Sequence, residues 1–270
     1  MSFGRSINIL SDKLEETINE LKQNNIELEK DIEERSKIDE MRKQFISDVS
    51  HELKTPIALI QGYAEGLVDN IAADEESRRF YSEVILDEAN KMDKLVKRLL
   101  ELMKLEYGER KFNNHVFNLT EVINEVIRNS KVMLKDKKID VEFNEINPIE
   151  VYADDFYIEQ VITNYFTNAI KNVQPVKGKN KISISVKKVK NSDKLRVSVF
   201  NTGDKISEED LTRIWKRFYK VDTSRNRANG GTGIGLSLVK AIMTQYNNNY
   251  GVKNKIDGVE FYFEIDKART

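Results

Sequence analysis

The sequence predicts a multidomain chain: an all-α coiled coil and dimeric four-helix bundle, followed by an α+β sandwich. Three observations carry this expectation. Ile7, Leu14, Leu21 and Leu28 recur at seven-residue spacing with charged residues between them, the repeat that winds helices together. Two further helical stretches carry apolar stripes that neither can hide alone. From about Val116 the texture changes to short alternating strands interleaved with helices, an α+β pattern.

The first helix has no glycine or proline from about Ser6 to Arg42. A second row, Ile18, Asn25 and Ile32, follows behind the leucines, and Asn25 on that seam costs stability while fixing register. The phase then shifts through Ile38, Met41 and Phe45 to a new seam: Ile46, Val49, Leu53, Ile57, Ile60, Ala64 and Leu67. A turn around Asp69 to Glu76 leads to a second helix reaching about Leu105, with the seam Ile85, Ala89, Met92, Val96, Leu99 and Met103. A homodimer closes both stripes into four helices.

Further on, alternation predicts strands at 140–143, 181–186, 195–199 and 259–263, and helices near 119–128, 155–173, 207–215 and 235–246. Asp222 to Gly231 holds no apolar anchor and is expected to be a mobile loop. The expected domains are a coiled-coil helix over 1–42, a bundle domain over 43–110 and the α+β domain over 111–270. The linker Lys104 to Asn114, with Gly108, is the expected hinge.

Composition narrows the function classes. Lysine plus arginine number 44 against 45 acidic residues, so no nucleic-acid footprint is implied. The absence of cysteine excludes disulfides and thiolate metal sites, and two distant histidines disfavour zinc. No apolar run approaches the roughly 20 residues that span a bilayer, and no signal peptide opens the chain. The expectation is a cytoplasmic piece of a longer protein anchored in the bacterial cell membrane through missing N-terminal segments.

Two clusters point to chemistry. The tract Ser50-His51-Glu52-Leu53-Lys54-Thr55-Pro56 places His51 about 200° from the seam residue Leu53, facing water. Thr55 shares its face. Pro56 removes a backbone hydrogen bond to the Glu52 carbonyl and is expected to bend the helix. The second cluster is dispersed. Asn164, Asn168 and Lys171 share one face of a helix, where amide oxygens suit magnesium and an ammonium suits a phosphate. Gly231-Thr232-Gly233-Ile234-Gly235-Leu236 precedes a strong helix, a geometry that brings backbone amides to an anion. Its spacing fits neither the Rossmann nor the P-loop pattern.

In this order the motifs resemble the bacterial sensor histidine kinases of two-component systems, along nearly the whole chain. Besides the His51 tract, the resemblance rests on Asn164 to Lys171, on Asn201-Thr202-Gly203, on Trp215 to Asp222 and on Gly231 to Leu236. Phe3 to Leu14 looks like the tail of a HAMP linker. The resemblance implies an ATP-binding sandwich of the Bergerat type, shared with gyrase, Hsp90 and MutL. It implies that His51 attacks the γ-phosphate of ATP, that Glu52 acts as base, and that Thr55 orients water when phosphate is removed from the partner. It further implies that Asn168, helped by Asn164, holds Mg2+. Lys171, Arg217, Lys220 and Arg225 would neutralise phosphate charge, Asn201 and Gly203 would take adenine, and Phe218 would anchor a lid. The implied partners are a second copy of the chain and the receiver domain of a cognate response regulator, of the winged-helix (OmpR-like) type.

Three positions depart from the family pattern: Asn172 replaces a tyrosine that packs on adenine, Asn201 an aspartate, and Lys205 a glycine. Tyr165 is a candidate to replace the lost ring, and an amide free to flip at Asn201 predicts weaker discrimination between ATP and GTP. His115, near the domain junction and read as having no acidic neighbours, is expected to be structural. The rival readings are a nucleotide-binding signalling scaffold without kinase activity and an ATPase of the wider superfamily.

Overall fold

The computed structural model describes residues 3–106, 111–221 and 233–268. The chain divides into two compact units, Met1–Glu88 and Ala89–Thr270.

In the first unit, helix α1 (Phe3–Val68) runs unbroken through Pro56, and α2 (Glu75–Glu106) begins after a short turn. That turn has local causes. Asn70 takes a left-handed conformation (φ 54°), which asparagine tolerates. Asp74 accepts hydrogen bonds from the Ser77 amide and hydroxyl, both 2.7 Å, capping the free amides of α2. These bonds hold the Asp74 carboxyl below the usual carboxylate range. The hairpin closes on rings, with Tyr63 packed edge-on against Tyr81 at 4.9 Å and near Phe80 at 6.1 Å. Gly66 lets the helices approach, since a Cβ there would sit 2.6 Å from the Tyr81 ring.

Along the stretch expected to form a coiled coil, Leu21 and Leu28 are 58% and 57% exposed in the single chain. The apolar rows on α2 differ from the expected seam. Leu95, Leu99, Leu102 and Leu105 are buried, whereas Val96 is 42% exposed and Ala89 is also exposed. Two stripes share this helix, where the sequence predicts one. Leu95, Leu99 and Leu102 form the buried row, and Leu86, Val96 and Leu100 lie on the exposed one.

The second unit is a layered α+β fold. A two-stranded antiparallel ladder pairs β1 (His115–Asn118) with β3 (Glu150–Ala153). A five-stranded sheet has the order β2 (Ile139–Glu142), β4 (Asn180–Lys188), β5 (Lys194–Thr202), β7 (Gly258–Asp266), β6 (Tyr250–Asn254), with only the β2–β4 pair parallel. Helices α3 (Leu119–Asn129), α5 (Asp155–Asn172) and α7 (Gly235–Gln245) form the second layer, with α5 packed against α3, α7 and β5. Short helices α4 (Lys131–Asp136) and α6 (Glu208–Arg213) complete it.

The core lies between the layers. Val197, Val199, Phe261 and Phe263 of the sheet and Val161, Ile162, Tyr165, Phe166 and Ile242 of the helices are all buried, each large side chain contributing about 1.5–3 kcal/mol. Tyr165 is fully buried beside Phe261, and its hydroxyl donates to the Tyr262 carbonyl at 3.2 Å. It is a core ring and does not replace the aromatic missing at Asn172, which corrects the sequence expectation. The sheet's other face holds a buried charge with its partner: Glu264, 2% exposed, accepts from Arg196 at 2.6 and 3.1 Å. The expected loop from Asp222 and the centre of the expected hinge at Gly108 lie outside the described residues.

Candidate functional site

His51 and Thr55 are exposed on α1, and Glu52 is half-buried. The helix explains this placement, because residues four apart share a face and Leu53 turns inward. These three residues belong to the first compact unit, and the residues expected to take nucleotide belong to the second.

In the second unit the structure brings the ends of α5, β5 and α7 together. Asn201, 3% exposed, ends β5 beside Thr202, and Gly203 follows with φ 146°. A Cβ at Gly203 would stand 3.0 Å from the carbonyl oxygen of Asn172, the last residue of α5. The Thr202 carbonyl joins the two elements by accepting from the Gln174 amide at 2.9 Å and the Asn201 side chain at 3.1 Å.

Asn164 and Asn168 lie half-buried one turn apart on α5. Asn164 donates to the Gln160 carbonyl at 2.8 Å, and its Oδ1 meets the start of α7, where a Cβ on Gly235 would come within 2.7 Å. Asn168 accepts from Asn172 at 2.8 Å. Lys171 is exposed, yet loss of hydration, followed by the neighbouring Arg98 and Lys137, lowers its pKa. Lys137 itself donates to the Ile170 carbonyl at 2.9 Å, a cation at a helix C-terminus.

Gly235 opens α7, whose first amides have no acceptor within the helix. Leu236 is half-buried in that turn. Gly233 (φ 69°) passes so close to Phe218 that a Cβ would stand 2.6 Å from its Cα. The Phe218 amide donates to the Gly233 carbonyl at 2.9 Å. Arg217 meets Glu106 of α2, and Lys220 is exposed. Arg225, Gly231 and Thr232 lie outside the described residues.

The residues fit a nucleoside triphosphate with a divalent cation. Amide oxygens are hard donors suited to magnesium, Lys171 supplies positive charge, and the α7 N-terminus supplies free amides. The buried amide of Asn201 carries both a donor and an acceptor, the group types that fit the edge of a base.

Comparison with known proteins agrees with this geometry. Residues 41–108 match the family described as His Kinase A (phospho-acceptor) domain, and residues 153–269 match the family described as Histidine kinase-, DNA gyrase B-, and HSP90-like ATPase. The sensor protein SrrB of Staphylococcus aureus is 30% identical over 239 residues. The chain belongs to the sensor histidine kinases. The match to SrrB covers 88% of this chain and 40% of SrrB, so the chain spans about two fifths of the length of that relative. Among solved structures, the histidine kinase AdeS of Acinetobacter baumannii is 25% identical with a TM-score of 0.66, over 81% of this chain and 98% of AdeS. The histidine kinase ThkA, in complex with the response regulator protein TrrA, is 28% identical with a TM-score of 0.64, over 83% of this chain and 61% of that one.

Against this family background, three features of the site escaped the sequence reading. Glu106 meets Arg217 across 111 positions and leaves no local signal. Asn172 was noted for the ring it lacks; its bond to Asn168 follows from four-residue spacing and was legible. His115 does have an acidic neighbour: its Nε2 lies 3.7 Å from Asp155, because pairing of β1 with β3 sets His115 opposite Ala153, two residues before α5 opens at Asp155.

Proposed function

We propose that the chain is the catalytic part of a homodimeric sensor histidine kinase that phosphorylates its own His51 and passes the phosphoryl group to an aspartate of a response regulator. The supporting observation is the pairing, in one chain, of an exposed His51 beside a half-buried Glu52 on a bundle helix with a nucleotide-type site at the ends of α5, β5 and α7. Exposed apolar residues on both hairpin helices, such as Ile46 at 57% and Leu100 at 53%, favour a second copy to complete the bundle.

ATP supplies the transferable phosphoryl group, and Mg2+ neutralises charge on it. The His51 imidazole nitrogen attacks the γ-phosphorus, the bond from that phosphorus to the bridging oxygen breaks and ADP leaves, and Glu52 takes the imidazole proton. Asn168 and Asn164 hold the cation, while Lys171, Arg217, Lys220 and Arg225 offset phosphate charge. Gly231, Thr232, Gly233, Gly235 and Leu236 shape the amide cradle, Phe218 anchors its lid, and Asn201 with Gly203 receives adenine. Phosphoryl transfer needs positioning and charge neutralisation above all, which this set provides.

Thr55 equips the same helix for phosphatase action on the regulator, whose proposed type is a winged-helix transcription factor. The proposed domains are 1–42, 43–110 and 111–270. Among the described residues no helix is long and apolar enough to cross a membrane, and the proposed anchor lies in segments outside this chain.

The test is incubation with γ-labelled ATP and Mg2+ beside a His51→Gln variant. Label that is acid-labile, alkali-stable and absent from the variant is expected. Label retained in His51→Gln would place the phosphoacceptor elsewhere and overturn the role of His51, whereas ATP binding with no label at all would favour the scaffold or ATPase readings.

A further inference from the structure

We propose that Asn172 is a positioning residue that sets the cation-facing oxygen of Asn168. This inference rests on the reading of Asn168 as the holder of the divalent cation. It concerns a residue that stands where the family pattern places a ring.

The argument starts from the backbone. The Asn172 side chain approaches the Asn168 carbonyl oxygen at 2.8 Å and the Asn168 Oδ1 at 2.8 Å. A backbone carbonyl only accepts, so the Asn172 atom that faces it is the amide nitrogen. That nitrogen carries two hydrogens, and the second reaches the Asn168 side chain. The Asn168 atom in contact with it must therefore be the oxygen. One backbone carbonyl thus fixes both amides in turn.

A bond from an asparagine to the carbonyl four residues back is a common local arrangement and implies nothing by itself. The second bond, side chain to side chain, is the informative one. It holds Asn168 Oδ1 in place before any ligand arrives and leaves one of its two lone pairs for a cation. The platform beneath is also held. Val173 donates to the Ala169 carbonyl at 2.8 Å, and Gly203 lies so close that a Cβ would stand 3.0 Å from the Asn172 carbonyl oxygen. Bonds that orient a metal ligand from behind typically change affinity by about 10–100-fold when removed.

The inference predicts a specific separation of metal and nucleotide effects. A fluorescent ATP analogue is titrated against the whole protein without metal and across a Mg2+ series, for wild type, Asn172→Leu, Asn172→Tyr and Asn168→Ala. In Asn172→Leu the apparent Mg2+ affinity is expected to fall about tenfold, with metal-free affinity for the analogue changed less than about twofold. Asn172→Tyr is expected to bind the metal-free analogue more tightly, through stacking on the base, while showing the same fall in Mg2+ affinity.

A fall of metal-free and Mg2+ binding in parallel, or an unchanged Mg2+ dependence in both Asn172 variants, would overturn the proposal. If Asn168→Ala also keeps the wild-type Mg2+ dependence, the reading of Asn168 itself fails. If Asn168→Ala loses it and the Asn172 variants do not, only the positioning role fails.

Discussion

Arg217 and Glu106 form a two-point ion pair. The guanidinium Nε lies 3.1 Å from one carboxylate oxygen, and Nη2 meets the other. Glu106 is the last residue of α2, and Arg217 follows α6 in the segment leading to Phe218. The guanidinium proposed to offset phosphate charge is thus already held by a carboxylate, and on that proposal nucleotide competes with Glu106 for it. Such partly exposed pairs contribute about 0.2–1 kcal/mol. Glu106→Gln is therefore expected to tighten binding of a fluorescent ATP analogue by about 1.4- to fivefold, with the gain shrinking as salt rises. Unchanged or weaker binding would show that Arg217 does not serve nucleotide.

Much of this arrangement was legible because it is local. The expected strand 181–186 lies within β4, and the expected helix 155–173 nearly coincides with α5; both have strong periodicity. The edge elements β1, β3, β6 and α4 were missed. Each is six residues or shorter, and such segments are fixed by pairing partners more than by their own pattern. Asn164, Asn168 and Lys171 could be grouped from spacing alone. The burial of Tyr165 could not, since it depends on Phe261 and Phe263 nearly 100 positions later. The Glu106–Arg217 pair failed for the same reason.

The contact between Gly233 and Phe218 ties the glycine motif to the preceding lid residues. Both have positive φ, 69° and 59°, and a side chain at Gly233 would collide with the Phe218 backbone. Gly233→Ala is expected to cost about 1–3 kcal/mol from backbone strain alone. The chain has a single tryptophan, Trp215, which packs edge-on to Tyr250 at 4.8 Å three residues before Phe218. Its emission is expected to shift in Gly233→Ala, together with a fall in Tm. Unchanged emission and Tm would mean the contact is not held in solution.

Lys171 gives a signed pH dependence. Its pKa is lowered from the ordinary lysine value of 10.5, chiefly by loss of hydration. Below 10.5 but above its folded value, the unfolded chain binds more protons, so this group makes stability rise with pH through that window. On the proposed phosphate role of Lys171, binding needs the cation and has the opposite trend: nucleotide affinity is expected to fall as pH rises through the same window. Lys171→Arg keeps its charge there and is expected to lose this alkaline limb. Titration of analogue affinity against pH for both proteins checks it, and identical profiles would remove Lys171 from the phosphate set.

Pro56 lies half-buried within the continuous α1, five residues after His51. Proline cannot donate to the Glu52 carbonyl, and Pro56→Ala is expected to strengthen the helix by up to about 3 kcal/mol. A stiffer helix beside His51 is expected to change the ratio of autophosphorylation to removal of phosphate from the regulator. Both rates are measurable with labelled phosphate, and an unchanged ratio would count against a switching role.

Asn201 tests how the base is read. Its amide nitrogen faces the Thr202 carbonyl at 3.1 Å, an unambiguous acceptor that fixes the orientation of the group. On the proposed role of Asn201, the oxygen is thereby left to accept from the exocyclic amine of adenine. Reading guanine would require turning the amide and breaking this bond, a cost of about 0.5–1.5 kcal/mol. A freely flipping amide would relax selectivity; the bond to Thr202 opposes that, so the discrimination lost relative to an aspartate is expected to be small. Competition of GTP and ATP for the labelled site, in wild type and Asn201→Asp, measures it. The two proteins are expected to differ in their GTP-to-ATP ratio by less than about tenfold. A larger difference, with GTP favoured by the wild type, would mean that the Thr202 bond does not hold the amide when nucleotide is present.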